Sequence, residues 1–401
     1  MMEIRKYRLY PTKEQSALIE STLETCRKTW NYLLSKRKTG RVSKFDQDHD
    51  IFVQKRKNPF LKAVYSHVLQ NVSDRLDKSY RAFFKGIARS PKFKAFGRYD
   101  SFTYPDAYNG SVKLGSSLRK TKIYLSKIGY LPIVVHREPS VGKNKRATVK
   151  REGDKWFVVL EYQVSDVPEF AIVQPKSPIG LDVGLLSVVA TSNGETFKPL
   201  QPLKKNLKRL RRLQQSVSRK KKGSKNRRKA VQRASRLHWK IRSLRSDFNH
   251  KLSTQLARTH DFFALEDLNI KGMVKNHSLA RSIFDAGWNQ LAQMLRYKAE
   301  RAGKKVVFVS PNNTSTDCSR CGFRKEMPLS VRTFHCERCS FETDRDVNSA
   351  IRVLNRGLEQ VGVGYAKLKS MESGVQSLNR WEIQPLVEAE ISGSPEVYRG
   401  V

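Results

Sequence analysis

The sequence predicts two architectures in one chain, a β-rich domain with a helical insertion followed by an α/β domain. Three observations predict this arrangement. Apolar residues recur at helical spacing from about residue 13 to residue 95. Residues 99–165 instead hold short apolar runs separated by turn residues such as Asn109-Gly110, as expected of a small sheet or barrel. From residue 179 onward, strand-like apolar runs alternate with helical stretches, the order typical of an α/β layer structure.

The first strand and the helical insertion are predicted at the N-terminus. Residues 2–10 alternate in part between apolar and polar side chains, and Pro11 ends this strand. Thr12 can cap the helix that follows. We therefore expect residues 1–12 to give the first strand, 13–98 the helical insertion and 99–170 the rest of the β-rich domain. Asn58-Pro59 precedes a second helical stripe, which consists of Val68, Leu69, Val72, Leu76, Tyr80, Phe83 and Phe84.

The α/β domain is predicted over residues 171–310. The apolar strand Ile179–Gly184 contains a single acid, Asp182. Leu185–Thr191 is the next strand, and Asn193-Gly194 is a strong signal for a hairpin turn after it. The later elements are expected to be a strand over 262–265 that ends at Glu266, a helix over 285–302, a strand over 306–309 and a last helix over 344–358.

A run of positive charge lies inside this domain. Residues 204–251 hold 20 Lys or Arg residues and one acid, Asp247. Apolar residues within the run recur at steps of three and four, which predicts a helical hairpin with an apolar seam and basic outer faces. Exposed helices usually mix both signs of charge, so a phosphate-binding surface is favoured over a solvated helix pair. The candidate nucleic-acid contacts are Lys204, Lys205, Arg209, Arg212, Lys220, Lys221, Arg227, Arg228, Arg236 and Arg242.

The charge of the whole chain indicates a polyanionic partner. The 401 residues include 78 Lys or Arg and 37 Asp or Glu, a formal net charge of +41. Repulsion on that scale disfavours a compact chain by itself, and nucleic acid would relieve it. Residues 356–401 are the exception, with five Lys or Arg and six Glu. Residues 359–401 are expected to form a weakly ordered tail.

Four cysteines near the C-terminus predict a structural zinc site. Cys318, Cys321, Cys336 and Cys339 form two C-x2-C pairs separated by fourteen residues. Each pair can offer two thiolates to a tetrahedral ion, and residues 311–343 are expected to fold as a zinc ribbon around it. The fifth cysteine, Cys26, lies in a helical stretch and is expected to be buried.

Three acids are candidates for a second metal site. Asp182, Glu266 and Asp346 each lie near the end of an apolar strand or the start of a helix. Three convergent carboxylates can hold two Mg²⁺ ions for phosphodiester hydrolysis. The alternatives are that Asp182 is a turn residue, that Glu266 marks a strand end, and that Asp346 interacts with a helix dipole. Burial of an acid within an apolar strand needs a reason, which makes Asp182 the strongest of the three.

At these motifs the sequence resembles the TnpB family of transposon-encoded nucleases, which are related to type V CRISPR effectors. The most specific matches are Thr314-Ser-Thr-Asp-Cys-Ser-Arg-Cys-Gly322 and Asp344-Arg-Asp-Val-Asn-Ser-Ala350. Further matches are Lys6–Gln15, Leu125–Ile133, Gly180-Leu-Asp-Val-Gly184 and Leu265-Glu-Asp-Leu268. Only the tail beyond about residue 356 is unmatched. Ser340 and Asn348-Ser-Ala depart slightly from the usual family pattern, without altering a ligand.

The resemblance implies a specific architecture and active site. An RNase H-like RuvC domain with an inserted zinc ribbon would follow a β-rich wedge domain, which itself contains a helical recognition domain. Asp182, Glu266 and Asp346 would be the three RuvC acids and would bind catalytic magnesium.

The resemblance also implies a function. The protein would bind a guide RNA from the transposon end and cut double-stranded target DNA beside a short adjacent motif. Gln70, Asn71, Tyr80 and Lys85 are candidates for reading that motif. The alternatives are a guided DNA-binding protein that no longer cleaves, an accessory or conventional transposase, and a zinc-ribbon RNA-binding protein without enzyme activity.

The expected location is the cytoplasm of a bacterium or archaeon, with association to the nucleoid when DNA is bound. The sequence has no signal peptide and no apolar run of 18 residues, so no membrane partner is expected. Protein partners are not indicated.

Overall fold

The computed structural model describes residues 2–40, 42–115, 121–165, 175–328 and 330–363. The predicted tail beyond residue 363 lies outside these residues. The prolines at 168 and 178 indicate a linker between them, and residues 168–174 of it also lie outside the described residues. The helices are α1 Lys13–Thr39, α2 Lys44–Lys57, α3 Pro59–Lys62, α4 Ser66–Phe84, α5 Pro202–Ser218, α6 Lys225–Thr259, α7 Ile270–Met273, α8 His277–Ala286, α9 Trp288–Arg301 and α10 Arg345–Gln360. The strands are β1 Met2–Leu9, β2 Ser101–Tyr104, β3 Val112–Leu114, β4 Lys122–Leu125, β5 Gly129–Val134, β6 Lys143–Glu152, β7 Lys155–Gln163, β8 Pro178–Asp182, β9 Val189–Thr191, β10 Thr196–Phe197, β11 Phe262–Glu266, β12 Lys305–Val309, β13 Thr333–His335 and β14 Glu342–Asp344.

The chain divides into two compact units. The first contains the described residues up to 165 together with 199–259 and 270–305, and the second contains those from 175–198, 260–269 and 306–363. The first unit holds a seven-stranded sheet in the order β2-β6-β7-β1-β5-β4-β3. A five-stranded sheet, in the order β10-β9-β8-β11-β12, and the hairpin β13-β14 belong to the second unit, apart from the first residue of β12. Each described helix is too short or too polar to cross a membrane.

The first strand lies inside its sheet because it pairs on both edges. β1 is antiparallel to β7 along its whole length and to β5 at its end, where Leu9 faces Trp156 on one side and Ile133 on the other. Tyr7 and Leu9 are buried, whereas the side chains near the start of the strand are more exposed. The helical insertion is therefore attached to the middle of the sheet rather than to an edge.

The helical insertion begins at a capping box. The Thr12 hydroxyl accepts a hydrogen bond from the Gln15 backbone N–H, and the Gln15 side chain accepts one from the Thr12 N–H. The predicted stripe of α4 is buried from Val68 to Leu76, but its last two members are not. Phe83 is 39% exposed and Phe84 77% exposed, because α4 ends there and none of the described elements covers them.

The predicted basic hairpin is formed by α5 and α6, with a turn in which Gly223 adopts φ +86°. Leu210, Leu237 and Ile241 are buried along its seam. The hairpin lies in the first unit, so the predicted 171–310 domain is divided between the two units. The physical reason is that α6 packs against the β6–β7 turn. There Arg242 contacts Glu152 at 2.6 Å, Arg236 contacts Asp154 at 3.0 Å, and the Lys155 ammonium lies over the Trp239 ring.

The helix predicted over 285–302 is wrong in one respect, because the chain forms two helices, α8 and α9, with a break at Gly287. Gly287 adopts φ +70°, and a Cβ there would lie 2.9 Å from the Arg245 side chain. Asp285 belongs to the end of α8 rather than the start of α9. Its carboxylate accepts hydrogen bonds from the backbone N–H groups of Leu203 and Lys204, which stabilises the N-terminus of α5.

The second unit is organised around two adjacent parallel strands. β8 and β11 pair in register, with Leu181 opposite Leu265. β9 pairs with β8 and is shorter than predicted, since it begins at Val189 instead of Leu185. The predicted turn before β10 is present, with Gly194 at φ +89°.

Helix α10 lies so close to β8 that only glycine fits beneath it. A Cβ on Gly180 would lie 2.0 Å from the carbonyl oxygen of Ala350 and 2.8 Å from the backbone nitrogen of Leu354. Gly357 has the same role toward β11, where a Cβ would lie 2.5 Å from that of Ala264. These two contacts fix α10 across both parallel strands.

Candidate active site and metal centre

Two strands and one helix carry the three predicted acids to one region of the second unit. Asp182 is the last residue of β8 and Glu266 the last residue of β11. Because these strands are parallel and in register, their carboxyl ends meet at one edge of the sheet. Asp346 lies in the first turn of α10, one helical turn before Ala350, whose carbonyl is packed on Gly180. The positions that the sequence singled out are therefore neighbours in space.

The electrostatics of Asp182 reflect this proximity. Burial, then the charges of Glu266 and Asp346, raise the pKa of Asp182 from 3.8 to about 8, and a hydrogen bond from Ser349 opposes the shift. The site thus favours a protonated Asp182 unless positive charge enters. A divalent cation would supply that charge and release the proton.

Glu266 is held by a hydrogen bond from the loop after β12. The Thr314 hydroxyl donates to Oε1 of Glu266 at 2.6 Å. Burial raises the pKa of Glu266, while the Thr314 hydrogen bond and the charge of Arg356 act in the opposite direction. Arg356 lies on α10 and donates to the carbonyl oxygens of Ser310 and Asn312, so it also fixes that loop.

Asp344 and Asp346 make different contacts. The Asp344 side chain caps α10, accepting hydrogen bonds from the N–H groups of Asp346 at 2.8 Å and Val347 at 3.3 Å. The Asp346 carboxylate remains available for other partners and forms an ion pair with the Arg332 guanidinium. The Arg332 guanidinium thus offsets part of the negative charge of Asp346.

The four predicted cysteines form a second centre whose geometry fits zinc. Their four sulfur atoms all lie within 4.8 Å of one another. Cys318 Sγ lies 3.7 Å from Cys339 Sγ, and Cys321 Sγ lies 3.5 Å from Cys336 Sγ. Tetrahedral Zn–S bonds of about 2.3 Å require sulfur separations of about 3.8 Å, so the donor set matches a structural zinc ion.

The cysteine centre is docked onto α10 by buried amide side chains. Oδ1 of Asn348 accepts from the Ser319 N–H at 2.9 Å, and its Nδ2 donates to the Asp317 carbonyl at 3.0 Å. Asn355 donates to the Ser319 carbonyl at 3.2 Å. Since Ser319 lies within the first C-x2-C pair, the position of the zinc knuckle and the position of α10 are linked directly.

The two centres differ in how tightly their ligands are grouped. Among the described residues, the four cysteines are the one group of potential ligands in which all ligand atoms fall within 4.8 Å. The three carboxylates do not form such a group. Instead, Thr314 contacts Glu266 and Arg332 contacts Asp346.

The ten predicted nucleic-acid contacts lie on the basic hairpin, and eight of them are exposed. Lys220 and Arg227 are partly buried. Arg236 and Arg242 form ion pairs with Asp154 and Glu152, so these two also hold α6 in place. Arg236 and Arg242 are therefore less available to bind phosphate than the six predicted cations on α5 and in the turn after it.

The four residues predicted to read a DNA motif do not form one cluster. Gln70 and Asn71 lie in the first half of α4, whereas Tyr80 and Lys85 lie at its end. Fifteen residues of helix separate Gln70 from Lys85, about 22 Å along the axis. Arg37 lies over the Tyr80 ring at 4.9 Å, which ties Tyr80 to α1. Two separate contacts would be needed to use all four.

Three residues of the site were not assigned roles from the sequence. Arg332 contacts Asp346, Thr314 contacts Glu266, and Asn348 docks the ribbon. Thr314 and Asn348 lie inside the motifs that carry the family resemblance, and that placement could have identified them. Arg332 lies in no such motif, and only the folded hairpin β13-β14 places it beside α10.

Three family models match parts of this chain. A model described as a probable transposase, OrfB of IS605 type, matches residues 158–277. A model of the Cas12f1-like TNB domain matches residues 288–353, which include all four cysteines and Asp346. A model described as a helix-turn-helix domain matches residues 1–41, where the structure has β1 followed by the long helix α1.

The chain also resembles whole proteins along most of their length. It is 33% identical over 378 residues, 90% of each chain, to a protein of Streptomyces pristinaespiralis provisionally named RNA-guided DNA endonuclease. It is 33% identical over 315 residues to the InsQ protein of Escherichia coli K12, which has the same provisional name, covering 74% of this chain and 76% of InsQ. A solved Cas12f1 in complex with guide RNA and target DNA shares the fold at a TM-score of 0.56 and 15% identity, covering 86% of this chain and 83% of the other.

Proposed function

The chain belongs to the TnpB family, and from this premise we propose that it is an RNA-guided, magnesium-dependent DNA endonuclease of a transposon. Relatives at 33% identity are named for guided DNA cleavage, and the agreement extends over nine-tenths of this chain. The single observation that carries the proposal is the meeting of Asp182, Glu266 and Asp346 at one edge of the β8-β11 pair.

The chemistry proposed for this site is two-metal hydrolysis of a phosphodiester. Asp182, Glu266 and Asp346 would together hold the Mg²⁺, which when bound would supply activation of water and stabilisation of the leaving oxygen. The raised pKa of Asp182 supports this assignment, because burial and the neighbouring acids disfavour its ionised form and a nearby cation would favour it.

The domains are proposed to have the roles found in type V-like effectors. The second unit with its ribbon would be the RuvC-like nuclease, the seven-stranded sheet the wedge domain, and α1–α4 the recognition domain. Zinc would have a structural role at the four cysteines. The guide RNA would come from the transposon end, and Gln70 or Asn71 on α4 would contribute to reading the short DNA motif beside the target.

The charge of the chain supports guided recognition over direct reading of bases. Base pairing with the guide selects the target, so the protein holds a heteroduplex by its phosphates. That task needs many cations and few base-specific contacts, in keeping with a net charge of +41 and with the exposed lysines and arginines of α5.

The proposal is tested by the RNA that accompanies the protein. The protein should be expressed with the transposon ends, and the copurifying RNA sequenced. A target matching its 3′ segment should then be offered beside a randomised flank. We expect cleavage in Mg²⁺, no cleavage in EDTA, and one short flanking motif among the cut molecules. Recovery of no defined RNA, or equal cleavage of matched and mismatched targets, would contradict the proposal.

A further inference from the structure

A basic groove in the first unit is separate from the candidate active site and from the cations predicted on the hairpin. It has a volume of about 440 Å³ and runs along the last three turns of α6, with one wall contributed by Arg137 after β5. Its positive lining groups are Arg137, Lys251 and Arg258, and His250 lies among them. From Asp247 to Thr259 the groove extends about 18 Å along the helix, enough for several consecutive phosphates.

The positive charge of this groove is not neutralised by the protein. Within the part of the chain that the structure describes, neither Arg137 nor Arg258 has an ion-pair partner. Asp247 is the single acid of the lining, and Lys251 pairs with it at 3.0 Å. The groove therefore has two guanidinium groups without an ion-pair partner among the described residues, and its one acid is already paired with Lys251.

A half-buried lysine adds positive potential beneath the groove. The Lys298 ammonium on α9 donates to the His250 carbonyl at 2.7 Å, to Ser253 Oγ at 2.6 Å and to Thr254 Oγ1 at 2.7 Å. Burial and the nearby charge of Arg137 lower the pKa of Lys298 to about 8. Burial also lowers the pKa of His250, with Lys298 and Arg137 acting in the same direction. An anion bound in the groove would offset the repulsion between Lys298 and Arg137.

The neutral lining groups favour RNA over DNA. Thr254 and Gln255 lie between Lys251 and Arg258, and Thr259 follows Arg258. Gln255 is exposed, with no side-chain hydrogen bond among the described residues. Hydroxyl and amide groups beside phosphate-binding cations can bond to a ribose 2′-hydroxyl, which is how a protein distinguishes RNA from DNA at one position. The elongated, open form suits a strand rather than a small anion.

The geometry points to this groove as a binding site for an RNA strand, held by Arg137 and Arg258 on consecutive phosphates and by Gln255 on a ribose. The inference rests on the proposed function, since it assigns part of the path of the guide RNA. It adds contacts outside the predicted hairpin set and places RNA against the end of α6.

The test compares paired charge removals. The double variant Arg137→Gln, Arg258→Gln removes two groove cations. The control Lys271→Gln, Arg281→Gln removes two exposed cations of the same unit outside the groove. The probes are a 30-nucleotide single-stranded RNA and the DNA of the same sequence. We expect the groove variant to bind RNA about tenfold more weakly at 0.15 M salt and to reduce the salt slope by about 1.4, with the control within about twofold of wild type.

A second measurement locates the effect. Hydrogen exchange over residues 247–259 should slow when RNA binds to wild type, and should be unaffected by DNA at equal saturation. The inference would be overturned if the groove variant weakened DNA binding as much as RNA binding. It would also be overturned if the groove and control variants lost RNA affinity equally. Unchanged exchange of this segment would overturn it as well. None of these readouts uses target cleavage, so the groove and the proposed endonuclease can fail independently.

Discussion

Replacing Asp182 by asparagine is expected to lower the rate of guided DNA cleavage at least about a thousand-fold, equivalent to about 4 kcal/mol of transition-state stabilisation. The asparagine side chain keeps the shape of the residue but removes the charge that would help to hold the metal ions. Binding of guide RNA and of target DNA should be unchanged, because Asp182 lies at the sheet edge in the second unit and not among the predicted cations. The measurement is single-turnover cleavage of a matched target, with binding followed in parallel.

The Asp182→Asn variant should be at least as stable as wild type. Such a result would exclude misfolding as the cause of its lost cleavage. The pKa of Asp182 is about 8 in the fold and 3.8 as the ordinary value. A raised pKa favours the protonated folded state, so wild-type stability without metal should fall as pH rises from about 4 toward 8. Asparagine cannot ionise. We therefore expect the variant to melt at or above the wild-type temperature at pH 8 in EDTA, with the difference vanishing near pH 4.

A matched substitution beside the site provides the control. Asp267 follows Glu266, is exposed, and pairs through its backbone N–H with Val309. Asp267→Asn should cleave within a few-fold of wild type. If Asp182→Asn cleaves as well as Asp267→Asn, the carboxylates have no role in the reaction and a guided DNA-binding protein is the better description.

Removing two zinc ligands, Cys318→Ser with Cys336→Ser, is expected to abolish both zinc binding and cleavage. Structural zinc contributes about 10–16 kcal/mol to the folding of comparable small motifs, and the ribbon cluster here consists of little more than the cysteines and a few apolar side chains such as Phe334. Loss of the ribbon would also release Arg332, which precedes β13 and contacts Asp346. The measurements are zinc per chain by elemental analysis and guided cleavage.

Two further variants separate zinc binding from docking. Cys26→Ala removes a buried thiol of the first unit and should keep one zinc per chain with cleavage intact. Asn348→Ala should keep the zinc but remove both hydrogen bonds to the first knuckle, at a cost of about 2–3 kcal/mol, with a marked fall in cleavage. Retention of zinc by the double cysteine variant would refute the assignment of these ligands.

The positions of the acids could be predicted because they depend on local pattern. A single acid at the end of the apolar run containing Ile179 and Leu181 places Asp182 at a strand end, and the same reasoning places Glu266 after Phe262–Leu265. The zinc ligands follow from spacing alone. The cap by Thr12 and the turn at Gly194 also depend on a few adjacent residues, and both are present.

The differences from the predicted elements concern contacts between distant segments. The assignment of α5 and α6 to the nuclease part stays a prediction, and it did not anticipate that Glu152 and Asp154 would hold α6 beside the β6–β7 turn. Likewise Phe83 and Phe84 fit the helical stripe by spacing, although both are exposed among the described residues. The break at Gly287 did have a local signal, since glycine commonly ends a helix, and it was outweighed by the apolar periodicity around it.

The central claim is that Asp182, Glu266 and Asp346 together bind two divalent ions. It is tested most directly by anomalous X-ray scattering from crystals of the protein grown with Mn²⁺ and bound nucleic acid. The account predicts two manganese peaks about 3.5–4 Å apart, coordinated by Asp182, Glu266 and Asp346. Manganese absent from all three carboxylates, while the cysteine site holds its zinc, would contradict it.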